Sequence, residues 1–185
     1  MPSWGGMLWF RTLVKCLLLV GPFLLALLFK KDGWLEPPGR MFCTSFPFVP
    51  FVAMLCGTVC FLYTVRIANG LQEVAVTWSW SFLLLSVSAG AIEELFFRGF
   101  FFNRTATSLG VWGAAFLNGA AFALYHYPEL FVRLEFAGIP SLRFLMLFVV
   151  GVIFCLAFAK WRNLLLIIIV HTVWNLISYL WALAG

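Results

Sequence analysis

The sequence predicts an all-α protein, a polytopic membrane helix bundle with about six transmembrane helices. Of its 185 residues, 64% are hydrophobic and only 10% are charged, and the mean hydropathy is +1.03. In soluble globular domains about a quarter of the residues are charged, so this composition excludes that class. The apolar residues form long uncharged runs with little chain between them. We therefore expect a single transmembrane helical domain over residues 1–185.

Six uncharged runs are long enough to cross a hydrocarbon core about 30 Å thick, which takes roughly 20 helical residues. They are Thr12 to Phe29, Phe46 to Val65, Val74 to Ile92, Val111 to Tyr127, Phe144 to Ala159 and Leu164 to Ala184. Arg11 and Lys15 precede an apolar core in the first run, as basic residues do in a secretory signal. No small-residue cleavage site follows Phe29, so we expect this run to be a retained span.

The third run does not stop at Ile92, because apolar residues resume after a short group of charges. The stretch from Val74 to Arg104 predicts either one overlong helix or a helix that is broken near Gly90. Residues Thr105 to Gly110 predict a turn, with Gly110 as a helix stop. The fourth run then returns across the membrane.

The formal net charge of +5 suits a protein whose flanking residues face anionic lipid headgroups. Ordinary flanking charge explains the excess of cations better than a surface patch for nucleic acid does. The expected partners therefore include the lipid bilayer and exclude nucleic acid. The cations are divided too evenly between the two sides of the membrane to predict an orientation.

The group Glu93, Glu94 and Arg98 stands out, because charge at membrane depth costs on the order of several kcal/mol unless it is paired or hydrated. Successive helical residues point about 100° apart, so the two carboxylates face different ways. Glu94 and Arg98 share a face four residues apart, and Arg98 can neutralise Glu94. Glu93 has no local partner and can act as a base. The alternative is a structural ion pair with one interfacial glutamate.

Two further polar pairs lie in the fourth and sixth runs. Phe122 precedes His126 by one turn and can cover one side of its imidazole, although a single histidine near the end of a span is also typical of the interface. His171 and Asn175 are again four residues apart, within a run of leucines and isoleucines. The simpler interpretation of that pair is an interhelical hydrogen bond.

Helical distances allow these three groups to share one layer of the membrane. At 1.5 Å per residue the chain runs roughly 16 Å from Glu93 to Arg104 and roughly 23 Å back from Val111 to His126. The last run begins on the same side, and His171 lies roughly 14 Å into it. We therefore expect the carboxylate, the two imidazoles and the amide to converge.

Such a convergence in a water-accessible cavity predicts hydrolysis. Glu93 would take a proton from a water molecule that His126 holds and orients, which makes water the nucleophile. His171 and Asn175 would donate to the oxygen of the tetrahedral intermediate. No serine in the apolar runs has a motif that would make it a nucleophile.

Taken in order, the motifs E-E-x-x-x-R, F-x-x-x-H and H-x-x-x-N resemble those of the CPBP family. This family includes type II CAAX prenyl endopeptidases and bacteriocin-processing or immunity proteins. The resemblance covers Glu93 to Asn175, and Gly99 after Arg98 also fits the family pattern. We take residues 90–178 as the motif core. The resemblance implies a glutamic-type intramembrane endopeptidase with an all-helical bundle fold.

The resemblance also implies a role for each matching position. It makes Glu93 the catalytic glutamate and His126 the histidine that holds the water. It makes His171 and Asn175 the pair that binds the oxyanion. The supporting residues are Glu94, Arg98 and Phe122.

The chain differs from the family pattern in two respects. It is short, with no extra helices on either side, and no proline stands in the residues before the glutamate pair, Ala89 to Ile92. The short length favours a prokaryotic member, a multi-pass protein of the inner (cytoplasmic) membrane. The expected substrate is a membrane protein or a lipidated peptide, cleaved at a C-terminal sorting signal or a CAAX-like tail.

Two alternatives remain open at the level of sequence. We expect no cofactor, but Glu93, His126 and His171 are residue types that can hold zinc with an open position, as in a zinc-dependent membrane protease. The absence of an H-E-x-x-H motif speaks against zinc. The second alternative is a non-proteolytic immunity or scaffold protein that uses its polar layer for helix packing or peptide binding.

Overall fold

The computed structural model describes residues 13–14, 16–21, 24, 33–42, 45–68, 80–126 and 140–182. All regular secondary structure in these ranges is helical, so the all-α class is confirmed for this part of the chain. The first predicted span, Thr12 to Phe29, lies mostly outside the described residues. Within it a short π-helical segment, Cys16–Val20, packs against the helix that carries the glutamate pair.

The longer helices follow the predicted runs, with ends that differ by up to eight residues. They are α1 (Phe48–Ala68), α2 (Trp80–Glu94), α3 (Asn103–Tyr125), α4 (Pro140–Trp161) and α5 (Leu164–Ala182). Helix α3 packs along α4, α2 packs along α5, and α1 also contacts α5. A π-helical segment, Leu95–Phe102, joins α2 to α3.

Two stretches in the described residues, Trp80–Tyr125 and Phe144–Trp161, are long and apolar enough to cross a membrane. Within each stretch, only 33% and 28% of the most apolar 18-residue segment is buried in the protein. The core helix of a soluble protein, by contrast, is mostly buried. Helices α1 and α5 contain shorter apolar stretches, Phe48–Thr64 and Leu164–Ser178. The total of six spans therefore stays a prediction.

The helical path is continuous from Trp80 to Leu109. Of the two alternatives for Val74 to Arg104, the described part, which begins at Trp80, shows the overlong helix without a break near Gly90, and residues 74–79 lie outside the described residues. The turn predicted over Thr105 to Gly110 is wrong in its extent, because residues as far as Leu109 are helical and only Gly110 departs, with φ 70° and ψ 169°. Glycine adopts positive φ without a steric penalty, so the kink falls at this residue.

The outer surface carries many large apolar side chains, and several charged or amide side chains are buried beside the hydrophobic core. Large apolar side chains point outward, among them Val49, Trp80, Trp112 and Leu124, each at least 60% exposed. Charged and amide side chains are enclosed, among them Glu93, Glu94, Arg98, Asn103 and Asn118, each at most 2% exposed. Polar groups that are buried between helices with apolar outer faces are typical of membrane bundles.

Two glycines allow the helices that carry the polar residues to approach closely. A Cβ atom at Gly90 would lie 2.9 Å from Oγ1 of Thr172, where α2 crosses α5. A Cβ atom at Gly119 would lie 2.7 Å from Cγ2 of Val152 and 2.9 Å from the carbonyl oxygen of Phe148, where α3 crosses α4. Small residues at such crossings let backbones come together in membrane bundles. The crossing at Gly90 brings α2, which carries the glutamate pair, close to α5, which carries His171.

Candidate active site

Glu94 and Arg98 form the ion pair that their spacing predicts. Nη1 of Arg98 donates to Oε1 of Glu94 at 2.8 Å, and both side chains are fully buried. Nη2 of Arg98 donates to the carbonyl oxygen of Gly151 in α4 at 3.2 Å. The guanidinium lies over the rings of Phe122 and Phe154, 4.6 and 5.2 Å from their centroids. Arg98 therefore ties the π-helical segment to α3 and α4 as well as to Glu94.

Glu94 has a second partner that the sequence analysis missed. Its Oε1 lies 2.6 Å from Nδ1 of His171 in α5. A carboxylate oxygen accepts, so Nδ1 of His171 carries the hydrogen and donates it. Glu94 thus holds both Arg98 and His171, and the bond to His171 fixes which nitrogen of that imidazole faces the rest of the site.

Glu93 faces the two histidines, as its position on the helix predicts. Its Oε2 lies 3.5 Å from Nε2 of His126 and 3.8 Å from Nε2 of His171, and its side chain is only 3% exposed. These separations exceed those of direct hydrogen bonds between nitrogen and oxygen. Three polar atoms from α2, α3 and α5 therefore surround one small volume.

The orientation of His126 completes the arrangement. Its Nδ1 lies 2.8 Å from the carbonyl oxygen of Phe122, and because a carbonyl accepts, Nδ1 donates. In their neutral forms, His126 and His171 both present the lone pair of Nε2 toward Oε2 of Glu93. Three acceptors that converge in this way are stable only if hydrogens come between them. A water molecule or an additional proton satisfies that requirement.

Aromatic rings enclose the imidazoles. The ring of Phe122 lies 4.6 Å from that of His126 and 5.9 Å from that of His171, centroid to centroid. Phe154 lies 6.0 Å from His171 on another side, and Phe97 packs edge-on against Phe122 at 5.1 Å. An apolar wall lowers the local dielectric and strengthens the electrostatic interactions inside it. Phe122 thus contacts His126 as the sequence predicts, and it also contacts His171.

Asn175 lies one turn beyond His171 on α5 and is partly buried. Within the described residues its side chain makes no hydrogen bond to Glu93, His126 or His171. The structure therefore brings Glu93, His126 and His171 close together and places the fourth predicted catalytic residue one turn from His171 on the same helix. The catalytic roles of all four remain predictions.

A second hydrogen-bond chain next to the site was not predicted as functional. Nδ2 of Asn118 donates to the carbonyl oxygen of Phe97 at 2.6 Å, and Sγ of Cys155 donates to Oδ1 of Asn118 at 3.2 Å. The sequence contains one indication that Asn118 belongs to the site: it precedes His126 by two turns and lies on the same face of α3. Nothing in the sequence distinguishes Cys155 from a packing residue.

The described residues do not bring three or more His, Cys, Asp or Glu side chains together in a way that could hold a metal ion. Both Nδ1 atoms bind protein oxygens, and both Nε2 atoms point at the same carboxylate oxygen. The zinc alternative at Glu93, His126 and His171 stays a hypothesis.

The fold and the site together define a helical membrane protein whose carboxylates and imidazoles meet in a buried layer. The profile of the family described as Type II CAAX prenyl endopeptidase Rce1-like matches residues 75–177, more than half of the chain. The chain belongs to this family, and the resemblance that the three motifs carry is confirmed. Membership implies an intramembrane protease. No curated protein and no solved structure matched the chain.

Proposed function

We propose that the protein is a glutamic-type intramembrane endopeptidase that hydrolyses a peptide bond of a membrane-anchored or lipid-modified protein. The observation that carries the proposal is the convergence of Nε2 of His126 and Nε2 of His171 on Oε2 of Glu93. The family supports the reaction class, and the buried carboxylate beside two imidazoles supplies the groups that the reaction needs.

In the proposed mechanism Glu93 is the general base. A water molecule between Oε2 of Glu93 and Nε2 of His126 donates one hydrogen to each, which leaves its oxygen directed at the substrate carbonyl. As the oxygen attacks, Glu93 takes the proton and later passes it to the leaving amine. The aromatic wall around Phe122 excludes other water from this step.

His171 and Asn175 bind the oxyanion. Nδ1 of His171 already donates to Glu94, so only the imidazolium form of His171 can donate from Nε2 as well. The imidazolium also offsets part of the negative charge that Glu93 and Glu94 bring to the buried cluster. Asn175 adds a neutral amide donor one turn away on α5.

An apolar cavity of about 500 Å³ between α1, α4 and α5 provides room for the membrane-embedded part of the substrate. Its lining includes Gly57, Phe61, Val149, Phe154 and Trp174. The ring of Phe154 borders both the cavity and the imidazole of His171. An aliphatic or isoprenoid chain in the cavity would hold the adjoining peptide near Glu93. This placement suits a C-terminal sorting signal or a CAAX-like tail, cleaved at the inner membrane of a prokaryote by a six-span enzyme.

The test begins in cells. Inactivation of the gene should cause one membrane protein to accumulate uncleaved, and the purified enzyme in detergent should cleave that protein. Glu93→Gln removes the base without changing side-chain size, and we expect cleavage to fall by roughly 10²-fold to 10⁴-fold. Glu36→Gln is the matched control, because the contacts that Glu36 makes to Asn103 use its backbone. Full activity of Glu93→Gln would refute the proposal.

The same preparation separates the two alternatives. Stoichiometric zinc together with inhibition by a chelator would identify a metalloprotease instead. Function in cells that survives both His126→Ala and Asn175→Ala, with normal protein abundance, would identify an immunity or scaffold role. The proposed mechanism predicts activity that a chelator does not change and that each of these two substitutions reduces.

A further inference from the structure

Asn118 occupies an unusual position, because its amide is fully buried and joins three helical segments. Its Nδ2 donates to the carbonyl oxygen of Phe97 in the π-helical segment at 2.6 Å. Its Oδ1 accepts from Sγ of Cys155 in α4 at 3.2 Å. A buried amide with both ends bonded constrains the relative positions of the segments that it connects.

Phe97 belongs to the π-helical segment Leu95–Phe102, which directly follows the glutamate pair. A π-helix uses bonds between residues five apart, and such turns leave carbonyls poorly matched to the amides that follow. Side chains supply donors to this segment at several points. Nδ2 of Asn103 donates to the carbonyl oxygen of Gly99 at 3.2 Å, and Oγ1 of Thr105 donates to that of Phe101 at 2.8 Å. Asn118 differs from both because it reaches the segment from 21 residues away, across the helix interface.

We propose that Asn118 is a positioning residue for the hydrolysis proposed above, on which this inference rests. By holding the carbonyl of Phe97, it keeps the π-helical turn that directs the next residue, Arg98, at Glu94. Glu94 in turn fixes the imidazole of His171. Asn118 thereby sets the angle at which Glu93 meets the histidines, although it touches none of them.

The side chains on the same face of α3 as Asn118 support this role. Asn118, Phe122 and His126 are spaced by four residues and lie one above the other on α3. Phe122 contacts both imidazoles, and its ring also packs against that of Phe97. A fixed bond between Asn118 and Phe97 therefore fixes the register between α3, which carries His126, and the segment that follows Glu93.

The decisive variant is Asn118→Leu, which has a similar size and lacks the donor. Cys155→Ala is the matched control, because it removes the second bond of Asn118 and leaves the donor to Phe97 in place. Asn118→Ser keeps a hydroxyl donor and should restore part of the activity that Asn118→Ala, of nearly the same size, loses. This second pair keeps the test decisive if Asn118→Leu does not fold.

The first readout needs no substrate. The chain has only two histidines, so a protein labelled with ¹⁵N at histidine gives two sets of imidazole signals in an NMR spectrum. We expect the proton in the 2.6 Å bond between His171 and Glu94 to be strongly deshielded, because bonds to a carboxylate of this length are strong. We expect its signal to move in Asn118→Leu and to stay in place in Cys155→Ala. A role limited to stability lowers the unfolding temperature but leaves this signal of the folded protein unchanged.

The second readout uses the substrate that accumulates when the gene is inactivated. We expect kcat of Asn118→Leu to fall about 100-fold while KM stays the same, because a misplacement of about 1 Å costs that much. An unchanged His171 signal together with unchanged kcat would overturn the positioning role. If the wild-type protein cleaves nothing, the proposed function fails, whereas the NMR comparison still decides whether Asn118 positions the glutamate pair.

Discussion

Oε1 of Glu94 accepts hydrogen bonds from Nδ1 of His171 at 2.6 Å and from Nη1 of Arg98 at 2.8 Å. One buried carboxylate oxygen thus joins the last helix to the π-helical segment. The neighbouring Glu93 has its Oε2 at longer distances from two imidazoles. The adjacent glutamates therefore differ in kind: Glu94 holds structure together, whereas Glu93 faces the volume in which a water molecule would react.

The first prediction concerns the different effects of the two glutamates on stability. Glu94→Gln leaves the guanidinium of Arg98 buried without its counter-charge, and breaking such a pair costs about 3 to 5 kcal/mol. Glu93→Gln leaves the bonds of Glu94 to Arg98 and His171 in place, so we expect it to cost less stability. Thermal unfolding in detergent, followed by size-exclusion chromatography, measures both. Equal losses of stability in the two variants would contradict this division of roles.

Much of the site could be predicted from spacing alone. Four-residue separations correctly placed Glu94 beside Arg98 and Phe122 beside His126, because helical geometry is local and regular. Simple lengths along the helices also anticipated that His126 would come close to Glu93. The all-α class followed from the uncharged runs, because they have the length that a helix of roughly 20 residues needs to cross the hydrocarbon core.

Other features of the site depend on contacts that no local spacing specifies. The bond between Glu94 and His171 joins residues 77 positions apart and requires the close crossing at Gly90. The π-helical geometry of Leu95–Phe102 could not be predicted, because a phenylalanine-rich sequence does not distinguish π from α geometry. The predicted turn includes Gly110, where the backbone does depart from helical geometry, but it begins too early. The residues from Thr105 are helical, and the hydroxyl of Thr105 donates to the carbonyl oxygen of Phe101 within the helix.

The second prediction addresses Arg98. Arg98→Lys keeps the charge, but an ammonium group cannot reach both Glu94 and the carbonyl of Gly151 or lie flat between two rings. We expect lower stability and reduced activity. In a double-mutant cycle, Glu94→Gln combined with Arg98→Gln should lose less stability than the two single variants together, by about 0.5 to 3 kcal/mol. Additive losses would show that the two side chains do not stabilise each other.

The third prediction tests the helix crossings. Gly90→Ala and Gly119→Ala each place a methyl group within 3 Å of an atom of the facing helix, so the helices must separate. We expect both variants to lose activity even where they fold, because the carboxylate and the imidazoles move apart. Gly39→Ala is the control, since Gly39 does not line the apolar cavity and a Cβ atom there meets nothing within 4 Å. Cleavage rates and unfolding temperatures of the three variants decide the matter. Wild-type activity of Gly90→Ala would show that the α2–α5 contact is not needed for geometry.

The fourth prediction concerns the oxyanion donors. Asn175→Ala should lower kcat by roughly 10²-fold to 10³-fold and change KM little, because the amide acts on charge that develops only in the transition state. The partly buried Ser178, one turn further along α5, provides the control substitution Ser178→Ala. Steady-state kinetics on the accumulated substrate separates the two parameters. A rise in KM with constant kcat would instead assign Asn175 to substrate binding.

The fifth prediction tests the apolar cavity as the site of the membrane-embedded part of the substrate. Val149 lines the cavity between α1, α4 and α5, and Val149→Trp should fill part of its volume of about 500 Å³. We expect KM to rise with kcat nearly unchanged, because the substrate loses apolar contact before the chemical step.

Val87→Trp is the matched control, since Val87 is equally exposed at 43% but lies on α2, away from the cavity. If the lipid chain or membrane anchor of the substrate bound elsewhere, the two tryptophan variants would have the same KM. A lower kcat for Val149→Trp alone would indicate that the tryptophan displaces Phe154 and, through it, His171.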